Sequence, residues 1–242
     1  MKIIGIIPAR YGSIRFPGKP LILIQGKPMI QHVYERALRS KLIGEVIAAT
    51  DDMRIYKCVN KFGGKAVMTS KRHKSGTDRI GEIVKLRNSE FKNDDLIVNI
   101  QGDEPFIDPG NIDIAIKPLI IDKTLNVSTL CYKITDRSEI TDSNVVKIIF
   151  DKDNFALYFS RSPIPYNREN SQQVSYYKHI GLYVYRKSYL LKLIELKPTK
   201  LERAERLEQL RILESGGKIK VIVTKIDSQS VDTKADLRKF KR

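Results

Sequence analysis

Apolar runs rich in Ile, Val and Ala at residues 3–7, 45–50, 66–69 and 95–100 alternate with amphipathic stretches. This rhythm restricts the fold more than any other feature. The run at 3–7 is apolar at every position apart from Gly5, as suits a strand buried on both faces of a parallel sheet. Helical spacing follows at 28–40, where Ile30, Val33, Tyr34, Ala37 and Leu38 share a stripe. A second helix is predicted at 53–62, closed by Gly63-Gly64. A third is predicted at 77–86, with Ile80, Ile83, Val84 and Leu86 inward. Strand and helix in alternation predict a right-handed parallel α/β sheet. No element is assigned to 106–125. Strands predicted at 126–134, 145–150, 155–161 and 180–185 have no long helices between them, so antiparallel additions are expected there. Helices at 189–195 and 202–214, a strand at 218–224 and a helix at 234–240 complete the prediction. With no internal repeat and no low-complexity linker, one mixed-sheet α/β domain over 1–242 is the simplest account.

Composition narrows the function classes. The chain has 242 residues, of which 41% are hydrophobic, enough for a sizeable core. No apolar run approaches the roughly 18 residues that span a bilayer. The opening Met1-Lys2-Ile3-Ile4 reads as a buried strand, since no long apolar stretch or small-residue cleavage site follows it. Cys58 and Cys131 stand far apart without metal spacing. A disulfide framework is therefore not expected, and a reducing, cytoplasmic setting is. The formal net charge of +16 favours anionic partners. It fits equally a lysine-rich surface, and the tail cations Lys234, Arg238, Lys239, Lys241 and Arg242 read as solvated charge on a last helix. The aromatics do not interleave with basic residues as a base-stacking platform would.

Chemistry concentrates in a few motifs. Residues 8–19, Pro-Ala-Arg-Tyr-Gly-Ser-Ile-Arg-Phe-Pro-Gly-Lys, follow the first strand directly. Open α/β sheets bind ligands just beyond strand carboxyl ends. Gly12 and Gly18 let backbone amides approach phosphate oxygens, and Arg10, Arg15 and Lys19 supply matching charge beside Ser13. The pattern is neither a P-loop nor the dinucleotide fingerprint; the alternative is a basic surface turn. Gln101-Gly102-Asp103-Glu104-Pro105 follows the fourth run, where a carboxylate suits Mg²⁺ shared with phosphate oxygens, against the alternative of an ordinary acidic turn. Asp232, in Ser230-Val231-Asp232-Thr233, reads as a helix cap unless a second metal carboxylate lies near. His73-Lys74-Ser75-Gly76-Thr77-Asp78-Arg79 precedes a helix that Thr77 or Asp78 would cap, aiming its N-terminus at a ligand. On its own, His179 reads as structural.

Together these motifs resemble the 3-deoxy-manno-octulosonate cytidylyltransferases, the CMP-Kdo synthetases. The likeness is carried by 7–21, 49–51, 73–79, 98–105, 156–161, 178–183, 207–211 and 231–233, in family order, and runs from residue 3 to about 238. It implies a nucleotide-diphospho-sugar transferase-like, Rossmann-like fold, mainly parallel, with a nucleotide-binding part over about 1–125. A sugar-binding and dimerisation part over about 126–225 is implied as well. The implied reaction joins Kdo to CMP from CTP with Mg²⁺, releasing pyrophosphate, for lipopolysaccharide biosynthesis. Arg10, Lys19 and Asp103 are the implied catalytic residues. Ala9, Arg10, Ser13, Arg15, Lys19, Ser75, Gly76, Arg79 and Gln101 are the implied nucleotide contacts. Gln101, Arg161, His179, Tyr183, Glu208 and Gln209 are implied for the sugar, with Arg161 facing its carboxylate. Asp103 and Asp232 are the implied Mg²⁺ ligands, which revises the capping role for Asp232. The partners implied are CTP, Kdo and a second copy of the chain, with no nucleic acid and no membrane. Departures are small: Asp78 where many relatives carry Glu, Phe16 where Leu is usual, and a short polar segment at 167–177.

Two competitors make different predictions. A sister enzyme activating sialic acid, or 8-amino-Kdo in place of Kdo, shares the fold; the sialic acid enzymes lack the Pro-Gly-Lys-Pro-Leu at 17–21. A nucleic-acid-binding protein, suggested by charge alone, predicts a contiguous basic stripe and steeply salt-dependent binding.

Overall fold

In a computed structural model that describes residues 1–12, 16–73, 75–168, 174–231 and 236–237, the apolar runs become strands. The strands are β1 (Ile3–Ala9), β2 (Leu23–Ile24), β3 (Lys27–Pro28), β4 (Glu45–Thr50), β5 (Ala66–Met68), β6 (Leu96–Asn99), β7 (Val127–Lys133), β8 (Lys147–Phe150), β9 (Ala156–Ser160), β10 (Tyr177–Arg186) and β11 (Lys220–Thr224). The helices are α1 (Met29–Leu38), α2 (Met53–Lys61), α3 (Gly76–Leu86), α4 (Pro109–Ile121), α5 (Ser138–Thr141), α6 (Lys187–Leu193), α7 (Lys200–Glu205) and α8 (Leu210–Glu214). The main sheet runs β11-β7-β10-β6-β1-β4-β5, with β8 beside β10 and β9 beside β8. β6, β1, β4 and β5 are parallel, and β10 enters antiparallel against both β6 and β7. β11 then pairs in parallel with β7.

Consecutive apolar residues on β1 serve opposite faces. Ile3 and Ile7 pack with α1, α2 and α4 side chains such as Val33, Ile55 and Ile116. Ile4 and Ile6 pack with Ile80, Ile83 and Leu190 from α3 and α6. Each such residue contributes on the order of 1.5–3 kcal/mol through burial, and the double-sided burial explains why β1 shows no polar alternation.

The strand order sets the position of any ligand. From β1 the chain moves outward through β4 to β5, then returns to the other side of β1 as β6. Beyond the carboxyl ends of β1 and β6 the chain therefore diverges and leaves a crevice, the usual ligand position in open α/β sheets. Gly102 shows how closely the two exits approach: a Cβ there would sit 2.9 Å from the Pro8 carbonyl oxygen. Gly76 does the same for α3, since a Cβ would lie 3.2 Å from the Pro8 ring.

Several sequence expectations are corrected. The helix expected over 202–214 is broken into α7 and α8 by Arg206, which adopts left-handed backbone (φ 54°, ψ 48°). A buried pair rejoins the pieces: Arg211 Nε donates to Glu202 Oε2 at 2.8 Å, and Nη2 to Oε1 at 2.5 Å. Periodicity over 202–214 does not register this tie, because a spacing of nine fits neither i,i+3, i,i+4 nor i,i+7. α4 had no assignment because Ile112, Ile114 and Ile116 mimic strand alternation and Pro118 sits inside the helix. β10 is longer than expected and carries an irregularity between Ile180 and Tyr183. The α3 cap is Ser75 rather than Thr77 or Asp78; its hydroxyl accepts from the Asp78 N–H at 3.0 Å. Most of the helix expected at 234–240 lies outside the described residues.

Candidate active site

Two connected depressions occupy the crevice. The smaller, about 240 Å³, lies between the exits of β1 and β6 and the first turn of α3. The larger, about 740 Å³, extends under β10 toward the β9 end and the α7–α8 break. Both are lined by Gly76, Gln101, Asp103 and Glu208.

Ala9, Arg10, Lys19, Ser75, Gly76, Arg79 and Gln101, expected at the nucleotide, line the smaller cleft. Ser13 and Arg15 lie outside the described residues. Lys19 follows the turn after β1, and its Nζ reaches Asp103 Oδ2 at 2.9 Å. The first turn of α3 brings the positive end of the helix dipole to the same cleft, which favours an anion. Arg79 lines the cleft as a brace. Its guanidinium, almost fully buried, donates through Nη2 to Asp51 Oδ2 at 2.8 Å and through Nη1 to Thr69 Oγ1. It thereby locks the ends of β4 and β5 together beneath α3.

Gln101, Arg161, His179, Tyr183, Glu208 and Gln209, expected at the sugar, all line the larger cavity. Gln101 Nε2 donates to the Gly181 carbonyl at 3.0 Å, tying the β6 exit to the β10 irregularity. Arg161 Nε donates to Glu205 O and Nη1 to Ser143 O, both at 2.8 Å, so the guanidinium is anchored through two of its nitrogens. Glu208 accepts from the Thr77 hydroxyl at 2.8 Å, and burial pushes its carboxyl up, opposed by that hydrogen bond. Thus a residue expected at the sugar also closes the nucleotide cleft, through the α3 N-terminus.

His179 is neutral for a physical reason. Its Nε2 meets Thr129 Oγ1 at 2.9 Å, and that hydroxyl donates its own proton to Leu182 O at 2.8 Å. Thr129 must therefore accept, so Nε2 carries the proton and Nδ1 is left as an acceptor. Burial without a carboxylate partner draws the imidazole down from 6.5 to about 3. The unfolded chain takes up a proton near pH 6.5 that the native ring refuses until about pH 3. This group therefore lowers stability as pH falls through that window. Melting temperatures of wild type and His179→Gln followed from pH 7 to pH 4 should diverge, the variant losing less on acidification. Parallel curves would refute the neutral imidazole.

Sequence reasoning passed over several residues here. Glu104 is buried, accepts from Ser228 Oγ at 2.6 Å, and is pushed up to about 7 by burial. Within an acidic turn nothing marked it as an interior group. Lys178, buried beneath the cavity, pairs with Glu139 at 2.7 Å and Asp227 at 2.8 Å. Lys147 has no exposed surface, and its Nζ donates to Asp142 O, Val145 O and Arg161 O at 2.8, 2.6 and 2.6 Å. A lone lysine in a strand sequence carries no signal of burial.

A divalent cation suits part of this geometry. The Asp103 carboxylate stands where the two depressions meet and already holds one cationic group, the Lys19 ammonium. The Val231 N–H donates to the Asp103 carbonyl at 2.8 Å, which brings the residue before Asp232 to this turn. Asp232 itself lies outside the described residues. One or two carboxylates plus phosphate oxygens are an adequate donor set for Mg²⁺.

A family profile described as cytidylyltransferase matches residues 4–222. The chain is 51% identical to a protein of Geotalea daltonii named 3-deoxy-manno-octulosonate cytidylyltransferase, covering 99% of this chain and 96% of that one. It is 50% identical to a protein of Syntrophus aciditrophicus with the same name, again over 99% and 96%. Among solved structures it resembles CMP:2-keto-3-deoxy-manno-octonic acid synthetase complexed with CTP. That match has a TM-score of 0.92 and 44% identity, covering 100% of this chain and 97% of that one. A cytidylyltransferase structure from Leptospira borgpetersenii shares the fold, with a TM-score of 0.66 and 18% identity over 100% and 85% of the two chains.

Proposed function

The chain belongs to the cytidylyltransferase family, and from that premise we propose that it activates Kdo with CTP, yielding CMP-Kdo and pyrophosphate. The observation that supports this best is the sharing of Gln101, Asp103 and Glu208 between a compact, cation-bearing cleft and a larger polar cavity. Two anionic substrates held in adjoining chambers meet at one edge. The C2 hydroxyl of the sugar acid attacks the α-phosphorus. A new P–O bond forms, the bond to the β-phosphate oxygen breaks, and pyrophosphate leaves with its electron pair while the hydroxyl proton passes to solvent. Holding both reactants in line makes the step effectively unimolecular.

The residues divide the work. Arg10 and Lys19, with Ser13 and Arg15 on the same loop, grip the triphosphate and stabilise charge growing on the leaving group. Ser75 and Gly76 at the α3 N-terminus border the cytosine, and Arg79 keeps that border in place. Arg161 faces the sugar carboxylate, and His179, Tyr183, Glu208 and Gln209 face its hydroxyls. Asp103 and Asp232 would hold Mg²⁺, which when bound positions reactants and acidifies the attacking hydroxyl. No nucleophilic side chain is required. A net charge of +16 suits a protein whose substrates are both anions. The same reading extends to a homodimer pairing through about 126–225. It also extends to a cytoplasmic setting in lipopolysaccharide biosynthesis, which suits the free thiols Cys58 and Cys131.

The test is a substrate panel: Kdo, 8-amino-Kdo and sialic acid, each with CTP or UTP and Mg²⁺, read by pyrophosphate release. Turnover of CTP with Kdo is expected, with UTP and sialic acid poor. No CTP consumption with any 2-keto-3-deoxy sugar acid would overturn the proposal.

A further inference from the structure

Asn99 is the last residue of β6, directly past which the chain enters the Gln101–Pro105 turn. Its Cα partners are Ile6 on β1 and Tyr183 on β10, so it stands at the seam where parallel and antiparallel parts of the sheet join. Strand alternation puts its side chain on the face of Ile97, toward α3, and it lines the larger cavity beside Thr77. Only 3% of the residue is exposed. Yet its Oδ1 has no hydrogen-bond partner, and neither end of the amide is hydrogen-bonded among the described residues. Across the strand pair, the Tyr183 hydroxyl is also buried without a hydrogen bond of acceptable geometry, although it lies near the Thr129 side chain.

A buried amide with no partner costs free energy, and native proteins keep one where something outside the chain completes it. Whichever way the amide is turned, it presents one acceptor and two donors. The phenol opposite adds one donor and one acceptor. Neither carries charge, and among the cations lining the cavity Arg161 is anchored to Glu205 O and Ser143 O, Lys178 to Glu139 and Asp227, and Arg211 to Glu202. The complement of such a floor is a neutral group that both donates and accepts, which is a hydroxyl. Tyr183 is itself held in place, its ring stacked on Tyr185 with centroids 5.7 Å apart and tilted against His179 at 5.2 Å. The floor is therefore rigid enough to discriminate.

We infer that Asn99 is a specificity-determining residue of the cavity, its amide hydrogen-bonding a hydroxyl of the sugar acid against the Tyr183 phenol. The inference rests on the cytidylyltransferase reading above. A site built to hydrogen-bond a hydroxyl rejects an analogue lacking it, because its own buried groups are then left unpaired.

The experiment compares wild type with Asn99→Leu, which keeps the branched shape of the side chain with bulkier methyl ends and removes both polar ends. KM for the sugar acid should rise about ten- to a hundredfold, the range expected for losing such a hydrogen bond, with KM for CTP unchanged. The melting temperature should hold or rise, because an orphaned amide has been replaced by an apolar group. Monodeoxy analogues of the sugar acid supply a second readout: one should be discriminated against by wild type and far less by the variant. An unchanged sugar KM would mean that the Asn99 amide makes no contact with the sugar acid and would overturn the inference. So would a falling melting temperature with both KM values raised, the mark of a structural role. If Asn99→Leu fails to fold, Asn99→Ser takes its place, and its failure as well would overturn the inference. An inactive wild type would instead sink the reading on which it rests.

Discussion

Replacing Asp103 with Asn should reduce turnover on the order of a thousandfold, about 4 kcal/mol of transition-state stabilisation, while barely altering stability. The substitution is isosteric, so packing is unaffected. Its structural loss is the pair with Lys19 at 2.9 Å, whose carboxylate side is 31% exposed. Ion pairs with that much solvent are worth about 1 kcal/mol or less. The Asp103 carbonyl, which holds the Val231 N–H, is untouched. What disappears is the negative charge at the junction of the two chambers, where a divalent cation would contribute several kcal/mol to the reaction. Pyrophosphate release at saturating Mg²⁺, measured beside the melting temperature, decides the matter. Comparable losses of activity and stability would make Asp103 a structural residue.

Lys147→Met should act the other way, through stability first. The ammonium uses three donors on three backbone carbonyls, at residues 142, 145 and 161, with no exposed surface. Met fills similar space and takes the donor from all three oxygens, of which Asp142 O keeps the Val145 N–H at 3.2 Å. Each unsatisfied buried group costs roughly 1–3 kcal/mol. Part of that is returned, because burial holds the Lys147 ammonium below its ordinary pKa and the variant no longer desolvates a charge. A net loss of about 3 kcal/mol is expected, or roughly 6–12 °C in melting temperature for a chain of this size. The surviving folded protein should bind the sugar acid more weakly, because Lys147 ties the 142–145 loop to the Arg161 backbone, and the Arg161 side chain bonds that same loop at Ser143. Thermal melts and sugar KM values test both parts. An unchanged melting temperature would remove Lys147 from the scaffold of this wall.

The parallel half of the fold and its loops were readable from local pattern. β1, β4 and β6 announce themselves by continuous apolar residues, and α1 to α3 by 3.6-residue spacing, because burial on both faces of a sheet, or on one helix stripe, writes its period into the sequence whatever the partner. The second half was read less well. α4 looks like alternating strand, and the α7–α8 break depends on Arg206 and on a Glu202–Arg211 pair whose nine-residue spacing fits no single helical turn. At the site, glycines and cations clustered after β1 raise the expectation of a phosphate-binding loop by composition, since anion binding favours those residue types. Arg79 was legible as belonging to the cleft but not as a brace, because its role is set by Asp51 and Thr69.

Residue types and their order carried the expectation of the chemistry: cations beside glycines beyond the first strand, a carboxylate beyond the fourth, and motifs in family order. Only the tertiary structure decided how these groups work together. Sheet order brings the β1 and β6 exits side by side, so Lys19 meets Asp103 across 84 residues of chain. It also buries Glu104 and Lys147, charged side chains whose sequence neighbourhoods give no sign of it. The physical reason is that burial and long-range pairing are properties of the packed chain, whereas residue type and spacing are properties of its local order. The larger cavity, with its unpartnered amide, exists only where both meet.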